Sequence, residues 1–194
     1  MNDLTTVGVV IDVPEPWCSR LAAVRAGVGD PVADTVPPHL TLLPPTQVAD
    51  QHLETVRLHL AEVAAEHPPF ELHLRGSGTF RPISGVVFVT VARGIAECEV
   101  IQSRLRLPPL ARELDYPYHP HVTVAHDIDA AGLDAAYDAL ATFEARFTVD
   151  RFTLYQHHEQ TGLLRPRQEF ALCGDRPGTG PVPELSAAEV VPHG

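Results

Sequence analysis

Lysine is absent from this 194-residue chain: all 14 of its Lys and Arg positions are arginine. Chemistry through a lysine adenylate is therefore excluded, and Gly76-Ser77-Gly78 does not lead into the Gly-Lys-Ser/Thr of a nucleotide-triphosphate loop. Cysteine is scarce as well. Cys18, Cys98 and Cys173 are widely separated and in none of the paired spacings of metal or redox motifs, so they read as reduced, buried fillers. No serine or cysteine stands in a nucleophile-elbow context, which disfavours covalent catalysis. No stretch approaches about 18 uninterrupted apolar residues, and the N-terminus lacks a basic segment leading into a long apolar run. A soluble, cytoplasmic protein with no membrane partner is expected. Positive charge is also short: the net charge is −11, which opposes tracking along a nucleic-acid backbone, so no extended nucleic-acid surface is expected. A small phosphate-bearing substrate remains permitted, because two histidines and an arginine can supply a local cationic pocket.

What the chain does have is a four-residue pattern met twice. His39-Leu40-Thr41-Leu42 is followed, 82 positions later, by His121-Val122-Thr123-Val124. Composition alone gives about 0.15 chance occurrences of His-apolar-Thr-apolar, so two copies are improbable by accident. Each copy alternates apolar and polar residues and is bounded by prolines, Pro37-Pro38 and Pro44-Pro45 for the first, Pro117 and Pro120 for the second, as a short strand would be. Alternation puts His39 and Thr41 on one face, about 7 Å apart along the strand, with Leu40 and Leu42 anchoring the other. That spacing suits an oxyanion held between imidazole and hydroxyl.

The order of elements also repeats. Residues 5–13 read as a buried strand, 16–27 as a helix, 51–66 as a helix with Leu53, Val56, Leu60 and Val63 in a stripe, and 70–75 as a strand. Residues 86–91, 95–105, 129–143 and 146–154 then repeat strand, helix, helix and strand around the second motif, and 169–173 could close the sheet. Matching Val7 to Val86, His39 to His121 and Phe70 to Phe147 gives offsets of 79, 82 and 77, which argues for a duplicated unit. Residues 1–173 are expected to form one bilobal domain, with repeats over about 5–76 and 85–173. A pseudo-twofold would bring the motif strands face to face across a cleft, with the 76–85 linker at its rim. Residues 174–194, rich in Gly and Pro at their start, read as a flexible tail. The protein is expected to be a monomer.

Two opposed histidines fit acid–base chemistry on a phosphate-bearing substrate: one, neutral, takes a proton from water, while the other, protonated, gives one to the departing oxygen. Thr41 and Thr123 would donate to the non-bridging oxygens. Phe80 and Tyr155 are candidates to stack on a base, Arg81 to meet a phosphate oxygen and Tyr118 to contact the sugar, each weighed against a core or solvated role. His119, with His126 or the His157-His158 pair, raises a zinc reading. Pro120 and the lack of an acidic ligand at an established spacing count against it, so no metal and no cofactor are expected. His52, His59, His67 and His73 read as surface residues.

The paired motifs resemble the two-histidine phosphoesterase superfamily, marked by two His-x-Thr/Ser-x strands, and within it the bacterial 2′-5′ RNA ligase and cyclic phosphodiesterase group. Weaker flanking matches are Gly76-Ser77-Gly78-Thr79-Phe80-Arg81 and Leu154-Tyr155-Gln156. The resemblance runs from Thr5 to Cys173. It implies an α+β fold, duplicated and bilobal, with two antiparallel-rich sheets facing a central cleft and helices outside. It also implies a metal-independent phosphodiesterase with His121 as base and His39 as acid, although the near symmetry of the sequence leaves that order open. The implied substrate is a small cyclic phosphate or nucleotide, RNA ends among them, or a 2′-5′ linkage, with ligation as the reverse reaction. A nucleotide-binding module without turnover is the alternative.

Overall fold

The β-branched run at the N-terminus forms β1 (Leu4–Asp12), from which the chain enters α1 (Trp17–Gly27) and then β2 (His39–Ala49). A 3-10 turn leads into α2 (Leu53–Glu66), followed by β3 (Phe70–Thr79), β4 (Val86–Arg93) and α3 (Ile95–Leu105). The second motif opens β5 (His121–His126), and α4 (Ala130–Leu140), β6 (Glu144–Val149), β7 (Arg151–His157) and β8 (Leu164–Ala171) complete the order. The computed structural model describes residues 3–157 and 164–175; the tail expected from residue 174 lies outside these, apart from its first two residues. Gly174 itself packs on the end of α2, its N–H donating to the His67 carbonyl at 3.0 Å.

All eight strands belong to one antiparallel sheet in the order β6-β3-β4-β5-β2-β1-β7-β8. The two expected sheets are thus two four-stranded halves of a continuous one, and they meet at a single pair, Leu40 opposite Val122. The motif strands lie edge to edge at this seam rather than facing each other from separate sheets.

Three local expectations change for identifiable reasons. β2 runs on through Pro44-Pro45, which sit in a bulge between the Val7–Thr46 and Val9–Leu43 pairs, where a missing N–H interrupts nothing. The single strand expected over 146–154 is two strands: β6 pairs with β3 while β7 pairs with β1, and Asp150 stands between them. Phe147 therefore lies opposite Leu72 in the same half-sheet, and it is β7, not β6, that takes the place equivalent to β3. α4 is shorter than expected at both ends: Asp129 is its cap, accepting from the Gly132 N–H at 2.7 Å, and after Leu140 the chain turns, the Phe143 N–H donating to the Leu140 carbonyl at 2.9 Å.

The halves are interlocked. β3 follows α2 in sequence, yet it pairs with β4 in the other half. The helices cross too: α1 packs on β5 and α4, and α3 packs on β2 and α2. Neither half has a core of its own. Leu40, Leu42, Val122 and Val124 are fully buried beneath these helices, each side chain contributing about 1.5–3 kcal/mol on burial. This fixes the opposite face, with its histidines and threonines, toward the cleft. Among the cysteines, Cys98 is buried, and that burial pushes its thiol up to about 12, whereas Cys173 is exposed. His73, expected at the surface, is buried and bonds Glu144 at 2.9 Å.

Candidate active site

In an antiparallel pair, one step to either side of Leu40–Val122 sets His39 opposite Thr123 and Thr41 opposite His121. All four side chains share the half-exposed face. The histidines sit on a diagonal of about 7–8 Å, which leaves room for one phosphoryl group between them.

Both rings are held in the same way. His39 Nδ1 lies 2.8 Å from the Pro37 carbonyl, and His121 Nδ1 lies 2.7 Å from the His119 carbonyl. A carbonyl only accepts, so each Nδ1 carries hydrogen and, in the neutral ring, each Nε2 is left with a lone pair. The prolines before each motif turn the chain so that the carbonyl two residues back can make this bond.

Burial pushes both imidazoles below their ordinary range, against the raising effect of the carbonyl bond. Their remaining surroundings differ. Arg25 lowers His39 further while Asp12 raises it; His119 and His39 both lower His121.

Two adjoining cavities, each of about 420 Å³, share Thr41, Phe80 and His121. The inner one contains all four motif side chains with Arg25 and His126 on its wall. The outer one is mainly apolar, walled by Phe80, Ile83, Tyr116, Tyr118 and His119. Phe80 meets His121 edge-on at 5.0 Å between centroids and packs on Phe88 at 4.4 Å. Gly78 makes room for this aromatic pair, since a Cβ there would run into the Phe88 ring. The wall is pinned by Arg112, which donates to the Pro45 carbonyl at 2.7 Å, and by Tyr118, whose hydroxyl donates to the Thr41 carbonyl at 3.0 Å. Burial pushes the Tyr118 phenol up, so it remains a donor.

The fold thus brings Phe80 and Tyr118 to the motif residues, but not Arg81 or Tyr155. Arg81 pairs with Asp134 on α4 at 2.7 Å and bonds Thr79. Tyr155 is buried, and its hydroxyl donates to Asp12 at 2.9 Å. Residues that sequence reasoning passed over include Arg25, buried and donating to the Val36 carbonyl at 2.8 Å, and Asp30, which bridges Arg25 at 3.4 Å and His126 at 3.1 Å. The signal for Arg25 was present: it stands four residues after Leu21, on the apolar stripe of α1. Among the described residues no cluster of three His, Cys, Asp or Glu side chains is placed to hold a metal ion.

Comparison with known proteins gives the family and the fold. A protein of Bacillus cytotoxicus, provisionally named a phosphoesterase, is 32% identical over 135 residues, covering 68% of this chain and 78% of the relative. A Bacillus pumilus protein of the same description is 34% identical over 133 residues, 66% of this chain and 75% of that one. Escherichia coli LigT complexed with 3′-AMP superposes with a TM-score of 0.67 at 22% identity, covering 88% of this chain and 99% of LigT. TT0787 of Thermus thermophilus superposes with a TM-score of 0.58 at 21% identity, covering 88% of this chain and all of that one. At these identities the structural matches speak for the fold. The model of the 2′-5′ RNA ligase superfamily matches residues 13–161, which spans both motifs, and the chain belongs to that superfamily.

Proposed function

We propose that the protein is a metal-independent phosphodiesterase that opens a 2′,3′-cyclic phosphate on a nucleotide or RNA end, or cuts a 2′-5′ linkage, by paired histidine catalysis. The observation that carries this reading is the seam: two His-x-Thr-x strands in antiparallel register, each Nδ1 tied to a carbonyl, in one cavity. A water oxygen forms the new bond to phosphorus while its proton passes to His121 Nε2. The P–O bond to a ribose oxygen breaks in line, and that oxygen takes a proton from His39 Nε2. Thr41 and Thr123 donate to the non-bridging oxygens as their charge grows. The outer cavity receives the base, with Phe80 and Tyr118 as its aromatic surfaces. Replacing water by the 5′-hydroxyl of a second RNA end runs the same steps in the same direction, its oxygen forming the new bond to phosphorus as the ring P–O bond breaks, and joins the two ends.

Hydrolysis of the four nucleoside 2′,3′-cyclic monophosphates in excess chelator, followed by phosphorus NMR, tests this. Turnover by the native protein and none by the His39→Ala/His121→Ala variant is expected. Tight nucleotide binding with no product after long incubation would instead favour a binding module, a reading to which the nucleotide complexes of LigT lend support.

A further inference from the structure

The pseudo-twofold that carries His39 onto His121 also carries β1 onto β4. Val10 opposite Thr41 answers to Phe88 opposite Thr123, and Asp12 opposite His39 answers to Thr90 opposite His121. One histidine has a carboxylate as its cross-strand neighbour, the other a hydroxyl. Residues directly opposed in an antiparallel pair share a face, with Cβ atoms about 4.5–5.5 Å apart.

The carboxylate is fixed. Asp12 Oδ2 accepts from the Thr153 hydroxyl at 2.6 Å and Oδ1 from the Tyr155 hydroxyl at 2.9 Å. Both donors stand on β7, on the side of β1 away from His39. Among the described residues Asp12 joins no arginine, so hydroxyls hold it in place without cancelling its charge. On the other side of the seam, the Thr90 hydroxyl donates to the Arg75 carbonyl, which leaves that position neutral.

The other charged or titratable groups around His39 are Arg25 from α1 and His121 from β5, with His126 and His157 lining the same cavity. Asp30 is engaged by Arg25 and His126. The groups acting on His121 are His119 and His39, both of which lower it. Among the described residues Asp12 is therefore the one negative charge acting on His39, where it opposes Arg25, and no carboxylate stands in the matching place beside His121.

We propose that Asp12 is a positioning residue that sets the direction of proton flow: its anchored carboxylate holds the proton on His39 and leaves His121 as the free base. Thr153 and Tyr155 act through Asp12, which accounts for a buried tyrosine on β7 beside the site. The idea deepens the phosphodiesterase reading above and rests on it for its catalytic meaning.

The test is an NMR titration of the His39 and His121 rings in the native protein, in Asp12→Asn and in Thr90→Asp, alongside pH profiles of cyclic nucleotide hydrolysis. In the native protein His39 is expected to protonate at higher pH than His121. Asp12→Asn should lower the His39 midpoint by about one pH unit, with His121 moving less. The kcat of that variant should fall about tenfold near neutrality at little change in KM. Thr90→Asp, which places the charge on the other side of the seam, should raise the His121 midpoint. A native His121 that protonates above His39, or an Asp12→Asn midpoint for His39 that stays in place, would overturn the proposal, and the native titration decides the first point even if a variant fails to fold. If the ordering holds and no cyclic phosphate is hydrolysed, the proton placement stands while the phosphodiesterase reading fails.

Discussion

The first and second half-sites carry the same His-x-Thr-x pattern and the same carbonyl bond to Nδ1, with leucine anchors in one and valine anchors in the other, and they differ more deeply one residue further out. Around His39 stand Asp12 and the buried guanidinium of Arg25; around His121 stand Thr90, His119 and the Phe80–Phe88 pair. On the helices, Arg25 of α1 answers to Gln102 of α3, and both are buried with one nitrogen lacking a partner, Arg25 Nε and Gln102 Nε2. The two halves thus share the motif histidines and threonines and differ in what surrounds them. Two identical imidazoles in identical settings would share a proton evenly, and a reaction that needs one acid and one base gains from unequal neighbours.

The comparison breaks most directly at the histidines. His39→Ala and His121→Ala should each lower kcat by about 10² to 10⁴, and the double variant should be little worse than the poorer single one, since the pair acts as a unit. Steady-state kinetics on a cyclic nucleotide reads this; a variant that keeps full activity removes that half from the chemistry. Next in size is the contrast between the two helices. Arg25→Ala removes the buried guanidinium from Asp30 and the Val36 carbonyl, leaving Asp30 to His126 and the Val32 N–H, and should cost about 3 kcal/mol in urea unfolding, whereas Gln102→Leu replaces an under-satisfied amide and should stay within about 1 kcal/mol. Phe80→Ala removes a stacking surface and should raise KM roughly tenfold with a smaller change in kcat.

The subtlest contrast lies in the pH profile. Burial lowers both imidazoles in the protein without ligand. A base works while neutral, so its lowered value extends activity toward acid; an acid works while protonated, so its lowered value pulls the alkaline limb down. Both limbs move the same way. The bell of kcat/KM against pH should therefore centre below about 6.5, the ordinary imidazole value. A bell centred above that value would show that the cavity does not desolvate its histidines.

Much of this site was legible because the information is local. Alternation of Leu40 and Leu42 with His39 and Thr41 sets the face of each motif, and proline positions set its ends. What escaped was set by long-range pairing. Tyr155 reads equally well as a stacking residue or as core until β7 is placed beside β1, where its hydroxyl finds Asp12. Arg81 reads as a phosphate ligand until α4 brings Asp134 to it. The matching of Phe70 to Phe147 failed for the same reason: periodicity identifies a strand but not its neighbour, and β3 leaves its own repeat to pair with β4.

That exchange of β3, together with α1 and α3 reaching across the seam, gives the molecule a mechanical property that two abutting lobes would lack. The cleft-side connection at residues 80–85, with Ile83 well exposed, is an accessible place for a protease to cut. Cutting it would free no lobe, because the N-terminal fragment would still place β3 and α1 in the other half, and the C-terminal fragment β7, β8 and α3 in the first. The nicked chain would remain one particle with its site assembled, held as interlaced fingers hold after the wrists are parted.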